Sequence, residues 1–117
     1  MSHILVVDDN PNNLYLARFI LEKACHLVDE ATDGQQAIDA CDKTSYDLVL
    51  MDIQMPGMDG LTATRLIKQK TPETKIVAVT ARVMKNDRQS IIEAGFDGYI
   101  EKPIVVDTFA NQIKGFL

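Results

Sequence analysis

Short apolar segments alternate with longer amphipathic segments five times along the chain, and this alternation most constrains its fold. The apolar segments occupy positions 4–7, 27–31, 46–51, 75–79 and 98–101. The first is apolar at every position, which is typical of a strand buried on both faces of a parallel sheet. The third and fourth segments repeat this form, apolar except at Asp47 and Lys75, and the second and fifth are weaker candidates for strands.

The segments between the apolar runs carry helix signals. Asn10 or Asn12 would cap a first helix that runs to about Ala24. The other helices are predicted at positions 34–43, 60–70, 84–94 and 107 to about 117. Gly95 follows the fourth helix and is a typical residue at a helix end.

Strand and helix in strict alternation predict an α/β domain, with a parallel sheet, helices on both faces and right-handed crossovers. Five strands in 117 residues fit the flavodoxin-like doubly wound order 2-1-3-4-5. Strands 1 and 3 are neighbours in that order, and ligands bind at the crevice beside their carboxyl ends. The sequence therefore predicts where a functional site would lie.

Polar residues follow four of the predicted strands. Asp8 and Asp9 end the first strand, Asp52 ends the third, Thr80 ends the fourth and Lys102 follows the fifth. Each one alone is better explained as a turn former, a helix cap, a strand residue or a surface charge. Because the topology brings all five to one edge of the sheet, we favour a functional site.

The chemistry of this set points to phosphoryl transfer. Three neighbouring carboxylates raise one another's pKa, and a divalent cation with a preference for oxygen, such as Mg²⁺, relieves the repulsion. The Asp52 carboxylate is placed to attack phosphorus and form an aspartyl phosphate. Lys102 would offset the charge of the phosphoryl group, while the Thr80 hydroxyl and the Ala81 amide would donate to its oxygens.

These motifs resemble those of the receiver domains of two-component response regulators. The matching segments are 4–10, 50–60, 79–81 and 94–103, and the resemblance covers the whole chain. It implies that Asp52 is the phosphoacceptor. It also implies that Asp8 and Asp9 hold Mg²⁺ together with Asp52, with the backbone carbonyl of Gln54 as a further ligand.

The resemblance implies a switch as well. Thr80 and Lys102 resemble the pair that contacts the phosphoryl group. Tyr99 matches the aromatic residue that turns inward when Thr80 moves toward the phosphate, which would remodel the surface of helix 4, strand 5 and helix 5. Its alternative role is that of an edge-strand aromatic half packed on a helix. Pro103 matches a position that a cis peptide bond usually precedes, although such bonds are otherwise uncommon.

The phosphodonor is expected to be a sensor histidine kinase or a histidine phosphotransfer protein. Helical spacing on the first helix assigns six residues to the core: Asn13, Leu16, Ala17, Ile20, Leu21 and Ala24. Leu14, Tyr15, Arg18 and Phe19 then lie on the outer side. Receivers resemble one another in docking this side, with the loop after strand 5, onto a helical bundle that carries phosphohistidine. We therefore expect Tyr15, Phe19 and Ile104 to line that contact.

Charge and composition argue against nucleic-acid binding, a membrane span and a disulfide framework. The net charge is −5 without basic runs, which argues against nucleic-acid binding, and no segment approaches the length of a membrane span. Cys25 and Cys41 are too few for a disulfide framework and fit reduced thiols in a cytoplasmic protein. We expect residues 1–117 to form a single receiver domain with no output domain, which acts on a downstream protein target.

The type of receiver is a further expectation. The chain resembles the stand-alone receivers of the DivK type, and its initial Met favours a complete chain. The segments 84–87 and 102–104 also resemble receivers attached to hybrid kinases. Among receivers, the positions of Gln54 and Arg82 are variable; they flank the phosphoryl site and bear on access of hydrolytic water. Val83 stands where a smaller alanine is frequent, and its extra bulk bears on the loop or on the pocket for Tyr99.

Three other functions compete with a phosphorylated receiver. A phosphatase of the haloacid dehalogenase type would need a second acid two residues after Asp52, where the chain has Gln54. A flavin-phosphate binder of the same fold would meet repulsion from Asp8 and Asp9. A degenerate receiver that acts as a constitutive interaction module would not retain the complete acidic set with Thr80 and Lys102. We expect a receiver that assists its own phosphorylation and dephosphorylation without turning over external substrates.

Overall fold

Five parallel strands form one sheet in the order β2-β1-β3-β4-β5. They are β1 (His3–Val7), β2 (Leu27–Ala31), β3 (Leu48–Asp52), β4 (Ile76–Thr80) and β5 (Gly98–Glu101). The computed structural model describes residues 2–81 and 85–117, and only the backbone of 85–87. The strand order confirms the predicted flavodoxin-like doubly wound fold.

Helices cover both faces of this sheet. They are α1 (Pro11–Lys23), α2 (Gly34–Lys43), α3 (Gly60–Lys70), α4 (Lys85–Ala94) and α5 (Val106–Lys114). Residues of α2, α3 and α4 pack on one face, and residues of α1 and α5 pack on the other. All five residues of β3 and of β4 are buried, because these central strands are covered on both sides. Every helix in the described ranges falls short of the length and apolarity that a membrane crossing needs.

The element boundaries agree closely with the sequence pattern. The bounds of β2, α2, α3 and β5 are those predicted, whereas β3 and β4 begin later and continue through Asp52 and Thr80. The last helix spans Val106–Lys114 rather than 107 to about 117. The predicted start of the fourth helix, Met84, lies outside the described residues, as do Arg82 and Val83.

Local hydrogen bonds explain where the helices begin and end. The side chain of Asn10 accepts a hydrogen bond from the backbone N–H of Asn12 at 2.9 Å, and Pro11 is the first helical residue. Asn10 is therefore the cap, and the alternative cap, Asn12, lies inside the helix. Gly95 follows α4 with φ of 99°, a left-handed conformation that glycine adopts without strain.

The buried face of α1 differs from the one predicted from helical spacing. Ala17, Ile20 and Leu21 are buried, as predicted, but Leu14, which was expected on the outer side, is buried with them. Ala24, expected in the core, is exposed at the end of the helix. The buried residues are thus at positions i, i+3, i+6 and i+7 from Leu14, and the helix is rotated toward Leu14 relative to its predicted orientation.

Candidate functional site

Three carboxylates meet where β1 and β3 end. Asp8 and Asp9 follow β1, and Asp52 is the last residue of β3. One oxygen atom of each lies within 4.8 Å of the others. Asp8 and Asp52 are buried, whereas Asp9 is exposed. The structure therefore brings together the acidic cluster that the strand ends predict.

Asp8 is held in place from three sides. Its backbone N–H donates to the carbonyl of Ala31 in the neighbouring strand at 3.1 Å. Its Oδ1 accepts from the backbone N–H of Asn10 at 2.9 Å, and its Oδ2 accepts from Lys102 Nζ at 3.1 Å. Both carboxylate oxygens thus have partners, which satisfies the polarity of a group that is almost fully buried.

Lys102 connects the acids to the end of β4. Its Nζ lies 3.5 Å from Oδ1 of Asp52, and its backbone N–H donates to the carbonyl of Thr80 at 2.7 Å. The peptide bond between Lys102 and Pro103 is cis, as the family resemblance implied. The ammonium is therefore placed between Asp8 and Asp52, where it partly offsets their charge.

The Asp52 carboxyl has an unusual proton affinity. Burial raises its pKa from 3.8 to about 6; Lys102 opposes this shift, and the carboxylates of Asp8 and Asp9 add to it. Burial acts in this direction because it removes the water that stabilises the charged form. In a polar crevice, a carboxyl group perturbed by burial together with specific charges is a candidate for function.

Gly60 allows the loop after β3 to fold back on the acid. Its backbone N–H donates to the carbonyl of Ile53 at 2.9 Å. A Cβ at position 60 would overlap the carbonyl oxygen of Asp52 and would lie 2.9 Å from the Cα of Ile53. No side chain other than hydrogen fits there without movement of the backbone that carries Asp52.

The acids and Lys102 line an open cavity of about 240 Å³ at the carboxyl edge of the sheet. Its lining residues are Asp8, Asp9, Asn10, Asn13, Asp52, Gln54, Thr80, Ala81 and Lys102. The set contains every residue that the sequence assigned to metal binding or to phosphoryl contact. Asn13 also lines the cavity, although helical spacing had assigned it to the core. Its position four residues after Asp9, in the first turn of α1, is the signal that would have placed it at the cavity.

Tyr99 lies outside this cavity. It pairs with Ala78 across β4 and β5, two residues before Thr80, so Tyr99 and Thr80 project from the same face of the sheet. Thr80 is buried, whereas Tyr99 is 37% exposed. The guanidinium carbon of Arg88, on α4, lies 5.9 Å from the centroid of the Tyr99 ring.

The predicted docking residues differ in their exposure to solvent. Tyr15 and Phe19 are 72% and 49% exposed, which agrees with their placement on the outer side of α1. The Lys23 ammonium lies 5.6 Å from the centroid of the Phe19 ring. Ile104 is half-buried against the core formed with α1 and α5. Two of the three side chains thus present large apolar surfaces, and Ile104 presents a smaller one.

Comparison with known proteins identifies the family. The family model described as the response regulator receiver domain matches residues 4–114. The sensor protein GacS of Pseudomonas syringae pv. syringae is 43% identical over 106 residues, which are 86% of this chain and 12% of that protein. The chain therefore spans about an eighth of the length of this curated relative.

Solved structures agree with this assignment. The receiver domain of a sensor histidine kinase from Pseudomonas aeruginosa PAO1 has a TM-score of 0.90 and 31% identity, covering 98% of this chain and 96% of that one. That structure has a magnesium ion coordinated in its active-site cleft. The response regulator TrrA from Thermotoga maritima, solved with Mg²⁺ and BeF, has a TM-score of 0.88 and 33% identity over the whole of both chains. The chain thus belongs to the response regulator receiver domain family, the phosphoryl-accepting signalling domains of two-component systems.

Proposed function

We propose that this chain accepts a phosphoryl group from a phosphohistidine onto Asp52 in the presence of Mg²⁺, and that it then changes its α4-β5-α5 surface. The observation that carries the proposal is the cluster of Asp8, Asp9 and Asp52, with one oxygen of each within 4.8 Å and Lys102 beside two of them. Burial raises the pKa of the Asp52 carboxyl to about 6.

The donor set fits a magnesium ion. All three side chains offer oxygen ligands, and the cavity opens to solvent at the exposed Asp9, so an ion bound there would retain several waters. Gln54 lines the same cavity, and we assign its backbone carbonyl as a further ligand. The two relatives solved with magnesium support a magnesium ion at this site. When bound, the ion would neutralise the acids and the incoming phosphoryl oxygens.

The residues of the cavity have separate parts in the transfer. A lone pair of the Asp52 carboxylate forms the new P–O bond, and the electrons of the P–N bond leave with the imidazole of the donor. Lys102 Nζ, which already lies 3.5 Å from Asp52, offsets the charge that arrives. The Thr80 hydroxyl and the Ala81 amide donate to the phosphoryl oxygens at the same wall of the cavity. Positioning and electrostatics account for most of such a transfer.

Thr80 lines the cavity and projects from the same face of the sheet as Tyr99, and the proposed switch links these two residues. When Thr80 moves to the phosphoryl group, Tyr99 turns inward on the same face of the sheet. The surface that changes carries Ile92 and Val106, which are 67% and 54% exposed. A downstream protein target would recognise this altered apolar surface.

The phosphodonor is a sensor histidine kinase or a histidine phosphotransfer protein, which docks on Tyr15, Phe19 and Ile104. The similarity to the receiver domain of a sensor histidine kinase supports this choice. The proposed location is the cytoplasm, with no nucleic-acid partner and no insertion into a membrane. It assists its own phosphorylation and dephosphorylation, and it does not turn over external substrates.

Incubation with acetyl phosphate followed by intact-mass measurement tests the proposal. The wild-type chain gains the mass of one phosphoryl group when Mg²⁺ is present and gains none with EDTA. Asp52→Asn gains none in either case. Full labelling of Asp52→Asn, or sustained turnover of small phosphate esters by the wild type, would contradict the proposed function.

A further inference from the structure

Arg88 contacts the aromatic ring that the proposed switch moves. Its guanidinium carbon lies 5.9 Å from the centroid of the Tyr99 ring. A guanidinium within about 6 Å of a ring face is attracted to it electrostatically. Arg88 is an exposed residue of α4, and Tyr99 is 37% exposed on the edge strand β5. The contact therefore belongs to the outward conformation of Tyr99.

The guanidinium has no competing carboxylate partner among the described residues. None of their ion pairs includes Arg88. The nearest acid on the same helix outside residues 85–87, Glu93, instead accepts a hydrogen bond from Gln89 at 3.0 Å. The Tyr99 ring is thus the contact that fixes the guanidinium in this part of the structure.

We propose that Arg88 is a positioning residue that holds Tyr99 in its outward, unphosphorylated conformation. This inference rests on the proposed function, because it concerns the switch that phosphorylation operates. Tyr99 and Thr80 project from the same face of the sheet. When the Tyr99 ring turns inward, toward Thr80, it loses its contact with the Arg88 guanidinium. Phosphorylation must therefore overcome the Arg88–Tyr99 contact, which biases the resting equilibrium toward the outward state.

Linkage gives the sign of the effect. A contact that is present only in the outward state lowers the affinity for every ligand that favours the inward state. Removal of the contact raises that affinity by the same factor. For a cation–ring contact at an exposed site this factor is about two- to fivefold. Simple charge effects act in the opposite direction, because loss of a positive charge weakens the binding of an anion to a chain of net charge −5.

The affinity for beryllofluoride with Mg²⁺, measured by titration, tests the proposal. Beryllofluoride acts as an analogue of the phosphoryl group on the acceptor carboxylate. We expect Arg88→Gln to bind it about two- to fivefold more tightly than the wild type. Arg65→Gln is the matched control, since it removes the same charge from an exposed position on α3 and leaves the Tyr99 ring untouched. It should bind equally or more weakly.

The conformation of the ring provides a second measurement. In protein labelled with fluorotyrosine, the ¹⁹F resonance of Tyr99 is assigned with Tyr99→Phe. We expect Arg88→Gln to move this resonance, in the absence of ligand, toward its position in the beryllofluoride complex. We also expect the Arg88→Gln effect on affinity to vanish in a Tyr99→Leu background, because the ring is then absent.

The outcomes separate the two proposals. If the wild type does not bind beryllofluoride with Mg²⁺, the proposed function fails. If the wild type binds it and Arg88→Gln neither tightens binding nor moves the Tyr99 resonance, the positioning role of Arg88 is wrong. Tighter binding that persists unchanged in the Tyr99→Leu background would also overturn it, since Arg88 would then act through another contact.

Discussion

The ammonium of Lys102 lies 3.5 Å from Oδ1 of Asp52, yet the pKa of that carboxyl is raised to about 6. Burial outweighs the attraction to Lys102, and the neighbouring acids act in the same direction as burial. The ionised form of Asp52 is therefore costly to the folded chain at neutral pH. A bound cation would remove this cost, so the energetics of folding and of metal binding are linked at this site.

Asp52→Asn should stabilise the metal-free protein at neutral pH. The folded pKa of about 6 lies above the ordinary value of 3.8, so the folded state binds more protons between these values. The contribution of Asp52 to the free energy of unfolding therefore falls as the pH rises from 3.8 to about 6, and it stays low at higher pH. We expect the substitution to raise the free energy of unfolding by about 1–3 kcal/mol at neutral pH.

Urea unfolding of Asp52→Asn and the wild type in EDTA measures this effect. The increase in the free energy of unfolding of Asp52→Asn over the wild type should be smaller at about pH 4, because Asp52 is then protonated in the folded wild type. Glu73→Gln, at an exposed position in the loop before β4, is the control and should not reproduce the increase in stability. A gain that is equal at both pH values, or a loss of stability, would show that the raised pKa of Asp52 is wrong.

Mg²⁺ should raise the thermal unfolding temperature of the wild type, because a ligand that binds only the folded state stabilises it. The shift should be much smaller for Asp9→Asn, whose exposed carboxylate belongs to the acidic cluster. Glu73→Gln removes a similar charge from an exposed position away from the cluster and should respond like the wild type. Equal shifts in all three proteins would place the ion elsewhere.

Phe19→Ala should slow phosphotransfer from a histidine kinase or phosphotransfer protein about five- to tenfold, since truncated interface aromatics commonly cost more than 1 kcal/mol. Labelling by acetyl phosphate should not change. Leu27→Ala is the control, because Leu27 is 52% exposed at the opposite end of the sheet. Slowing with both donors would indicate a defect in the cavity, and no slowing with either would remove Phe19 from the docking surface.

Gly60→Ala should lower stability by about 1–3 kcal/mol and slow labelling by acetyl phosphate, because its Cβ would overlap the carbonyl oxygen of Asp52. Gly57→Ala provides the comparison. Gly57 has φ of +74°, and a Cβ at this position would meet no atom within 4 Å, so its substitution strains the backbone and leaves Asp52 in place. If Gly60→Ala labels as fast as Gly57→Ala, close packing at Gly60 does not position the acid.

Sequence pattern predicted the sheet well because its signals are local. The run from Ile4 to Val7 is apolar on both faces, which only a covered strand tolerates, and polar residues after such runs predicted the edge where Asp8 and Asp52 meet. Hydropathy located the starts of β3 and β4 less well: the predicted segments begin at positions 46 and 75, whereas the strands begin at Leu48 and Ile76.

The features that sequence missed depend on how elements are oriented against one another. Leu14 is buried because the rotation of α1 about its axis is set by packing, which periodicity over one helix does not determine. Arg88 and Tyr99 lie on different elements, so their contact depends on the placement of α4 beside β5. The pKa of Asp52 likewise results from opposed effects of burial and charge that no motif encodes.

The most direct test of the central claim locates the phosphoryl group in the chain. Wild-type protein labelled with acetyl phosphate and Mg²⁺ is reduced with borohydride, which converts an aspartyl phosphate into homoserine, and the digested peptides are sequenced by mass spectrometry. The account predicts homoserine at position 52 and unchanged aspartate at Asp8 and Asp9. Homoserine at either of those positions, or unmodified Asp52 in a phosphorylated chain, would contradict it.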